Sequence, residues 1–134
     1  MTATEKVKNI AEIVDDMKGE RIETLDVRTK SPITDWFIVC SGLNDRHVDA
    51  IADRVAEKMR DMKERPLRSD GERSGWILQD YGDVILHVMR EEQRQFYDLE
   101  ALWESVRPNP DLPSDEVENT AERVPPTLDI KEAR

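Results

Sequence analysis

Two apolar runs of strand length, residues 76–79 and 84–89, stand on either side of Asp80-Tyr81-Gly82-Asp83. Nothing else in the chain constrains its fold as tightly. A short connection containing glycine between two such runs signals a β-hairpin. Side chains alternate along a strand, so Trp76, Leu78 and Asp80 share one face while Ile77, Gln79 and Tyr81 take the other. At least one of those faces must cover a core. After Arg90, the acids Glu91 and Glu92 suit a helix start, where negative charge is favoured by the unpaired backbone N–H groups. Phe96, Leu99, Leu102 and Trp103 then line one face of that helix. Residues 75–103 hold two of the three tryptophans and both tyrosines, so this stretch is read as both sheet spine and contact surface.

The preceding residues supply what the hairpin packs against. Thr2 and Glu5 have the spacing of a capping box, with Thr4 an alternative cap. Val7, Ile10, Val14 and Met17 follow at helical period, and Lys18-Gly19 provides a stop. Residues 22–27 read as a short strand and residues 28–35, with Ser31-Pro32, as a loop. Trp36-Phe37-Ile38-Val39-Cys40 is continuously apolar, the pattern of a strand buried on both faces. Asn44 caps a second helix whose inward face is Val48, Ile51, Ala52, Val55, Met59 and Met62. A short strand near Leu67 completes a β-α-β unit, for which a right-handed crossover is expected.

These elements predict one α/β domain over residues 1–106, a mixed sheet of about five strands flanked by helices. Residues 107–134 differ in character. They contain five of the seven prolines, no aromatic residue, and seven acids against four bases. Such a segment buries too little apolar surface to offset its ordering entropy, so a disordered acidic tail is expected, with a docking role open for residues 124–130.

Composition narrows the function classes. A formal charge of −10 across 134 residues argues against a general grip on phosphate backbones, which needs clustered Lys and Arg. It favours a basic protein partner and leaves only local contacts with RNA open. Cys40 is the single cysteine, so neither an intrachain disulfide nor a cysteine-rich zinc site can form. The first residues lack the apolar core of a secretory signal, and no apolar run reaches the ~20 residues of a membrane helix. A cytoplasmic protein without membrane attachment is expected.

The chemically capable residues do not assemble into a catalytic pattern. Ser41-Gly42-Leu43-Asn44 precedes a helix as a phosphate loop would, but it has one glycine and no following lysine, and reads as a tight turn with an Asn cap. His47 and His87 show no metal-clamp spacing, and His87 is expected to point from the sheet towards solvent or a partner. Asp80 and Asp83 are three apart across a turn, which suits an Asx turn better than a paired-carboxylate metal site. Cys40 reads as a small buried hydrophobe. No cofactor is implied. What remains is the Trp76–Leu78 surface edged by Asp80 and Asp83, which suits a basic, partly apolar partner as well as it suits core packing.

Two motifs carry a resemblance. Asp35-Trp36-Phe37-Ile38-Val39-Cys40-Ser41-Gly42, followed by Asn44, Arg46 and His47, resembles the first signature of the ribosomal silencing factor family (RsfS, also called Iojap). The second signature is similar almost position for position: Gly75-Trp76-Ile77-Leu78, Asp80-Tyr81-Gly82-Asp83-Val84, His87-Val88, Arg90-Glu91-Glu92, and Phe96-Tyr97-Asp98-Leu99-Glu100 with Leu102-Trp103. The resemblance spans roughly residues 4–106 and implies a nucleotidyltransferase-like topology. It also implies binding to the large ribosomal subunit through its protein number fourteen, which sterically blocks joining of the small subunit and represses translation under nutrient limitation. Carried over to this chain, the implied contact residues are Trp76, Leu78, Asp80, Tyr81, Asp83 and His87. A non-enzymatic factor, monomeric or weakly homodimeric, is expected. The alternative is a nucleotide-binding or nucleotidyltransferase enzyme of the same fold, although the Gly-Ser loop and alternating carboxylates of such enzymes are missing here.

Overall fold

Thr2 and Glu5 do form a reciprocal cap: each side chain accepts the other's backbone N–H at 3.1 Å. This opens helix α1, Ala3–Asp16, in the computed structural model, which describes residues 1–99, residue 101 and the backbone of residues 129–132. Val7, Ile10, Ala11 and Val14 form its buried stripe, and the chain leaves the helix through Lys18 at φ 64°. Strand β1, Glu20–Asp26, runs antiparallel to β2, Trp36–Gly42. All seven residues of β2 are buried, as expected of a strand covered on both sides.

Helix α2, Asp45–Asp61, starts where the Asn44 side chain accepts the His47 backbone N–H at 2.8 Å. After it come β3, Arg68–Asp70, β4, Trp76–Asp80, and β5, Val84–Arg90. The hairpin β4–β5 has the expected bounds to within one residue. Strand β5 lies parallel to β2 in an unbroken seven-residue register, from Trp36↔Val84 to Gly42↔Arg90. Helix α3, Glu91–Tyr97, follows directly, and β6, Asp129–Glu132, pairs in parallel with β1. The sheet order is β3-β4-β5-β2-β1-β6. Five strands come from residues 20–90, matching the expected mixed sheet. The sixth comes from a segment expected to be tail; the rest of that tail expectation, and Leu102 and Trp103 of the last helix, lie outside the described residues.

Strand parity divides the core in two. On one face, Trp36, Ile38, Cys40, Ile77, Tyr81, Val84, Leu86 and Val88 pack against α1 and α2. On the other, Leu25, Val27, Phe37, Val39 and Met89 form a second buried cluster, with Trp76, Ile85 and Leu99 partly buried against it. Only α3, among the described helices, lies on that second face. No described helix is long and apolar enough to cross a membrane.

One expectation about α3 fails. Phe96 is not a core residue but is 80% exposed, because the buried residue of this seven-residue helix is Arg94. At about 100° per residue, turning Arg94 inward swings a side chain two positions on to the far side of the helix. The helix then ends at Asp98 in the left-handed conformation, φ 45° and ψ 61°.

Candidate functional site

The second sheet face carries the candidate surface. Register sets Leu78 opposite His87, Trp76 opposite Met89 and Asp80 opposite Ile85. Trp76, Leu78, Asp80 and His87 therefore share one face, by the alternation of the strands that carry them. Trp76 is partly buried there. Its ring lies 4.8 Å from Tyr97, and Tyr97 meets Phe96 edge-on at 4.9 Å. Phe96 and the half-exposed Tyr97 extend this aromatic surface towards solvent. Neither was assigned to the contact from sequence; the 3.6-residue period of the last helix wrongly directed Phe96 inward.

His87 also departs from expectation. It does not point to solvent but is buried, with 5% of its surface exposed. Trp76 Nε1–H donates to His87 Nδ1 at 3.1 Å, and Phe37 meets the imidazole edge-on at 5.1 Å. Burial holds the imidazole down at about 4, so the ring is neutral at pH 7.

The hairpin turn is tied down by its own residues and by α1. The Asp80 carboxylate accepts the Gly82 N–H at 2.8 Å, the Asx turn expected from the spacing. Tyr81 N–H donates to the Val84 carbonyl at 2.8 Å. The Tyr81 ring turns to the helix-covered face and is buried. Its hydroxyl donates to Gln79 Oε1 at 2.8 Å, and Gln79 Nε2 donates to the Ala52 carbonyl at 2.8 Å. Burial pushes the Tyr81 phenol up, so it stays protonated. Of the six expected contact residues, Tyr81 thus lies away from the shared face and braces the turn against α2.

Asp83 sits at the far side of the turn, where Lys6 Nζ donates to its carboxylate at 2.9 Å and to the Tyr81 carbonyl at 3.2 Å. Partial burial alone would lower Lys6, but the hydrogen bonds and charges of Asp83 and Glu64 together outweigh it and raise the ammonium above its ordinary value. Asp83 is consequently compensated within the chain, while Asp80 lies beside Trp76 and Leu78 on the same strand face.

The residues considered for chemistry have structural partners. His47 Nδ1 accepts the Leu43 N–H at 2.9 Å, and its Nε2–H donates to the Met17 carbonyl at 2.8 Å, which locks α2 to the end of α1. Cys40 lies in the core, where burial pushes its thiol up to about 12, leaving no thiolate at neutral pH. A Cβ at Gly42 would sit 2.8 Å from Val48 Cγ2, so this glycine serves close strand–helix packing. Among the described residues, no three His, Cys, Asp or Glu side chains group as metal ligands.

Comparison with known proteins agrees with this architecture. A family model described as ribosomal silencing factor during starvation matches residues 1–133. The ribosomal silencing factor of Haemophilus influenzae is 37% identical over 98 residues, covering 72% of this chain and 96% of that protein. The Chromobacterium violaceum factor is 36% identical over 110 residues, covering 81% and 90%. The chloroplastic Iojap protein of Zea mays is 32% identical over 104 residues, covering 75% of this chain but 44% of the longer plant protein. A crystal structure of a Chromobacterium violaceum protein superposes with a TM-score of 0.76 at 34% identity, covering 84% of this chain and 95% of that one.

Proposed function

The chain belongs to the ribosomal silencing factor family, and from that membership we propose that it binds the large ribosomal subunit through protein number fourteen. Bound there, it sterically prevents joining of the small subunit and represses translation under nutrient limitation. The action is non-enzymatic and takes place in the cytoplasm. It needs no cofactor, and the acting species is a monomer or weak homodimer.

The observation that carries this reading is the shared face of Trp76, Leu78 and Asp80, continued by the exposed rings of Tyr97 and Phe96. Aromatic side chains supply large rigid contact area at low entropic cost, and they dominate binding hot spots. The Asp80 carboxylate at the edge, within a chain of net charge −10, complements a basic ribosomal protein and speeds encounter. His87 and Tyr81 support this surface from beneath, and Asp83 fixes the turn that bears it.

Subunit joining measured by sucrose-gradient sedimentation tests the proposal. Adding the protein to separated subunits should shift ribosomes from the joined to the separate peaks, with the protein cosedimenting with the large subunit. Joining at an undiminished level with saturating protein would refute it.

A further inference from the structure

His87 is a costly choice for its position. Accepting the Trp76 indole N–H at Nδ1 requires a lone pair there, which places the ring proton on Nε2. Among the described residues, Nε2 has no hydrogen-bond partner, although it is fully buried. A buried donor left unpaired is a liability that a phenylalanine or leucine would avoid. The slot is otherwise apolar and aromatic, with Phe37 edge-on at 5.1 Å and Val39 opposite in the register. Filling this core position therefore does not call for an imidazole. What the imidazole adds, and a hydrocarbon cannot, is the acceptor at Nδ1.

We propose that His87 is a positioning residue for the docking surface: its Nδ1 holds the Trp76 indole in the orientation presented to the ribosomal partner. This role rests on the proposed docking face. The geometry explains why one bond suffices. Trp76 and His87 are diagonal neighbours across the β4–β5 ladder, since Leu78 is the residue opposite His87, and diagonal positions lie within reach of long aromatic side chains. The hydrogen bond fixes the Nε1 edge of the indole. Tyr97 lies against the ring at 4.8 Å, with an interplanar angle of 49°. Together these contacts restrain both side-chain torsions before any partner arrives. A residue ordered in advance loses less conformational freedom on binding, which favours affinity without adding a contact.

The test uses the full chain with His87→Phe and His87→Asn. The Asn Oδ1 stands as many bonds from Cα as the imidazole Nδ1, so it can restore the acceptor. Two readouts are taken: the Trp76 indole N–H signal in ¹⁵N-labelled protein, assigned by its loss in Trp76→Phe, and retention on purified large ribosomal subunits. H87F should shift the indole signal, speed its exchange with water and weaken retention about fivefold, the worth of one ordinary hydrogen bond. H87N should recover both. In a Trp76→Phe background, H87F should add little further loss of retention, because the donor it serves is gone.

An indole signal unchanged in H87F overturns the proposal. So does a full additional loss when H87F is combined with W76F, a comparison that stands even if H87N does not fold. If W76F itself binds subunits as the wild type does, the docking face is wrong, and the indole signal still decides whether His87 orients Trp76.

Discussion

The Arg94 guanidinium of α3 lies 3.0 Å from the Glu23 carboxylate of β1, and both side chains are almost wholly buried. The same guanidinium donates to Ser41 Oγ at 3.0 Å and to the Arg21 carbonyl. One cation thus ties the short helix to β1 and β2 and turns Phe96 outward. A seven-residue helix has little stability of its own, so this anchor holds the aromatic edge of the docking face in place.

Removing the cation should be costly. Arg94→Met takes from the buried Glu23 carboxylate the guanidinium that lies 3.0 Å away, a change worth about 3–5 kcal/mol of destabilisation. Combining it with Glu23→Leu should recover most of that loss, since an apolar pair of similar volume replaces a desolvated ion pair at little net cost. Urea unfolding of the two single variants and the double variant measures this. If R94M unfolded within about 1 kcal/mol of the wild type, Arg94 would not be the anchor.

His87 predicts a pH dependence. The imidazole titrates at about 4 in the fold, below its ordinary value of 6.5, because burial penalises its charged form. Between those values the unfolded chain binds the proton and the folded chain does not, so protonation favours unfolding. The associated stability is complete above pH 6.5 and is lost as the pH falls towards 4. From pH 7 to pH 5 the loss from this group should be about 2 kcal/mol. Urea unfolding across that interval should show the slope in the wild type and lack it in H87F. Equal slopes would mean that His87 is accessible to protons in the folded protein.

How much of this was legible in the sequence depends on how far apart the interacting residues are. The caps at Thr2 and Asn44, the Asx turn at Asp80 and the face alternation of β4 involve residues three positions apart or fewer, and each formed as expected. The burial of His87 did not follow from such rules. Alternation puts His87 on the same face as Trp76 and Leu78, but period-two reasoning cannot tell which face another part of the chain covers. Arg94 was illegible for a related reason: its partner Glu23 is 71 residues away, and an arginine in a helix reads as solvent-facing. Strand β6 joins β1 across about a hundred residues through parallel pairing, which leaves no local turn signal. For the site, the sequence motif brought Trp76, Leu78 and Asp80 to notice correctly as one strand face. It could not separate them from Tyr81 and Asp83, whose partners lie on α2 and α1.

Two glycines flanking β4 should respond differently to the same change. Gly71 and Gly82 both have positive φ, 97° and 90°, so alanine is strained at either by about 1–2 kcal/mol. Nothing lies nearer to a Cβ at Gly82 than Leu67 Cδ1 at 3.7 Å, whereas a Cβ at Gly71 would fall 2.1 Å from the Trp76 carbonyl oxygen. That overlap is with backbone, which can yield only by moving β4. Gly71→Ala should therefore lower the melting temperature well beyond Gly82→Ala and also weaken retention on large subunits, because Trp76 begins the displaced strand. Similar melting temperatures for the two variants would contradict the close approach at Gly71.

The two acids of the turn should separate contact from support. Asp80→Asn can preserve the bond to the Gly82 N–H through its amide oxygen while removing the charge. Stability should change little, and retention on large subunits should fall and lose part of its salt dependence, since a half-buried charge at the surface acts through partly screened attraction. Asp83→Asn instead removes the nearer of two counter-charges of the partly buried Lys6, the other being Glu64 at 3.6 Å, for which a loss of about 1 kcal/mol in stability is expected. Because the Asp83 carboxylate is already compensated within the chain, its removal should leave subunit retention near the wild-type level. Unfolding and cosedimentation at two salt concentrations check both halves. The opposite pattern, with D83N losing retention and D80N losing stability, would place the acidic edge of the docking face on the α1 side of the turn.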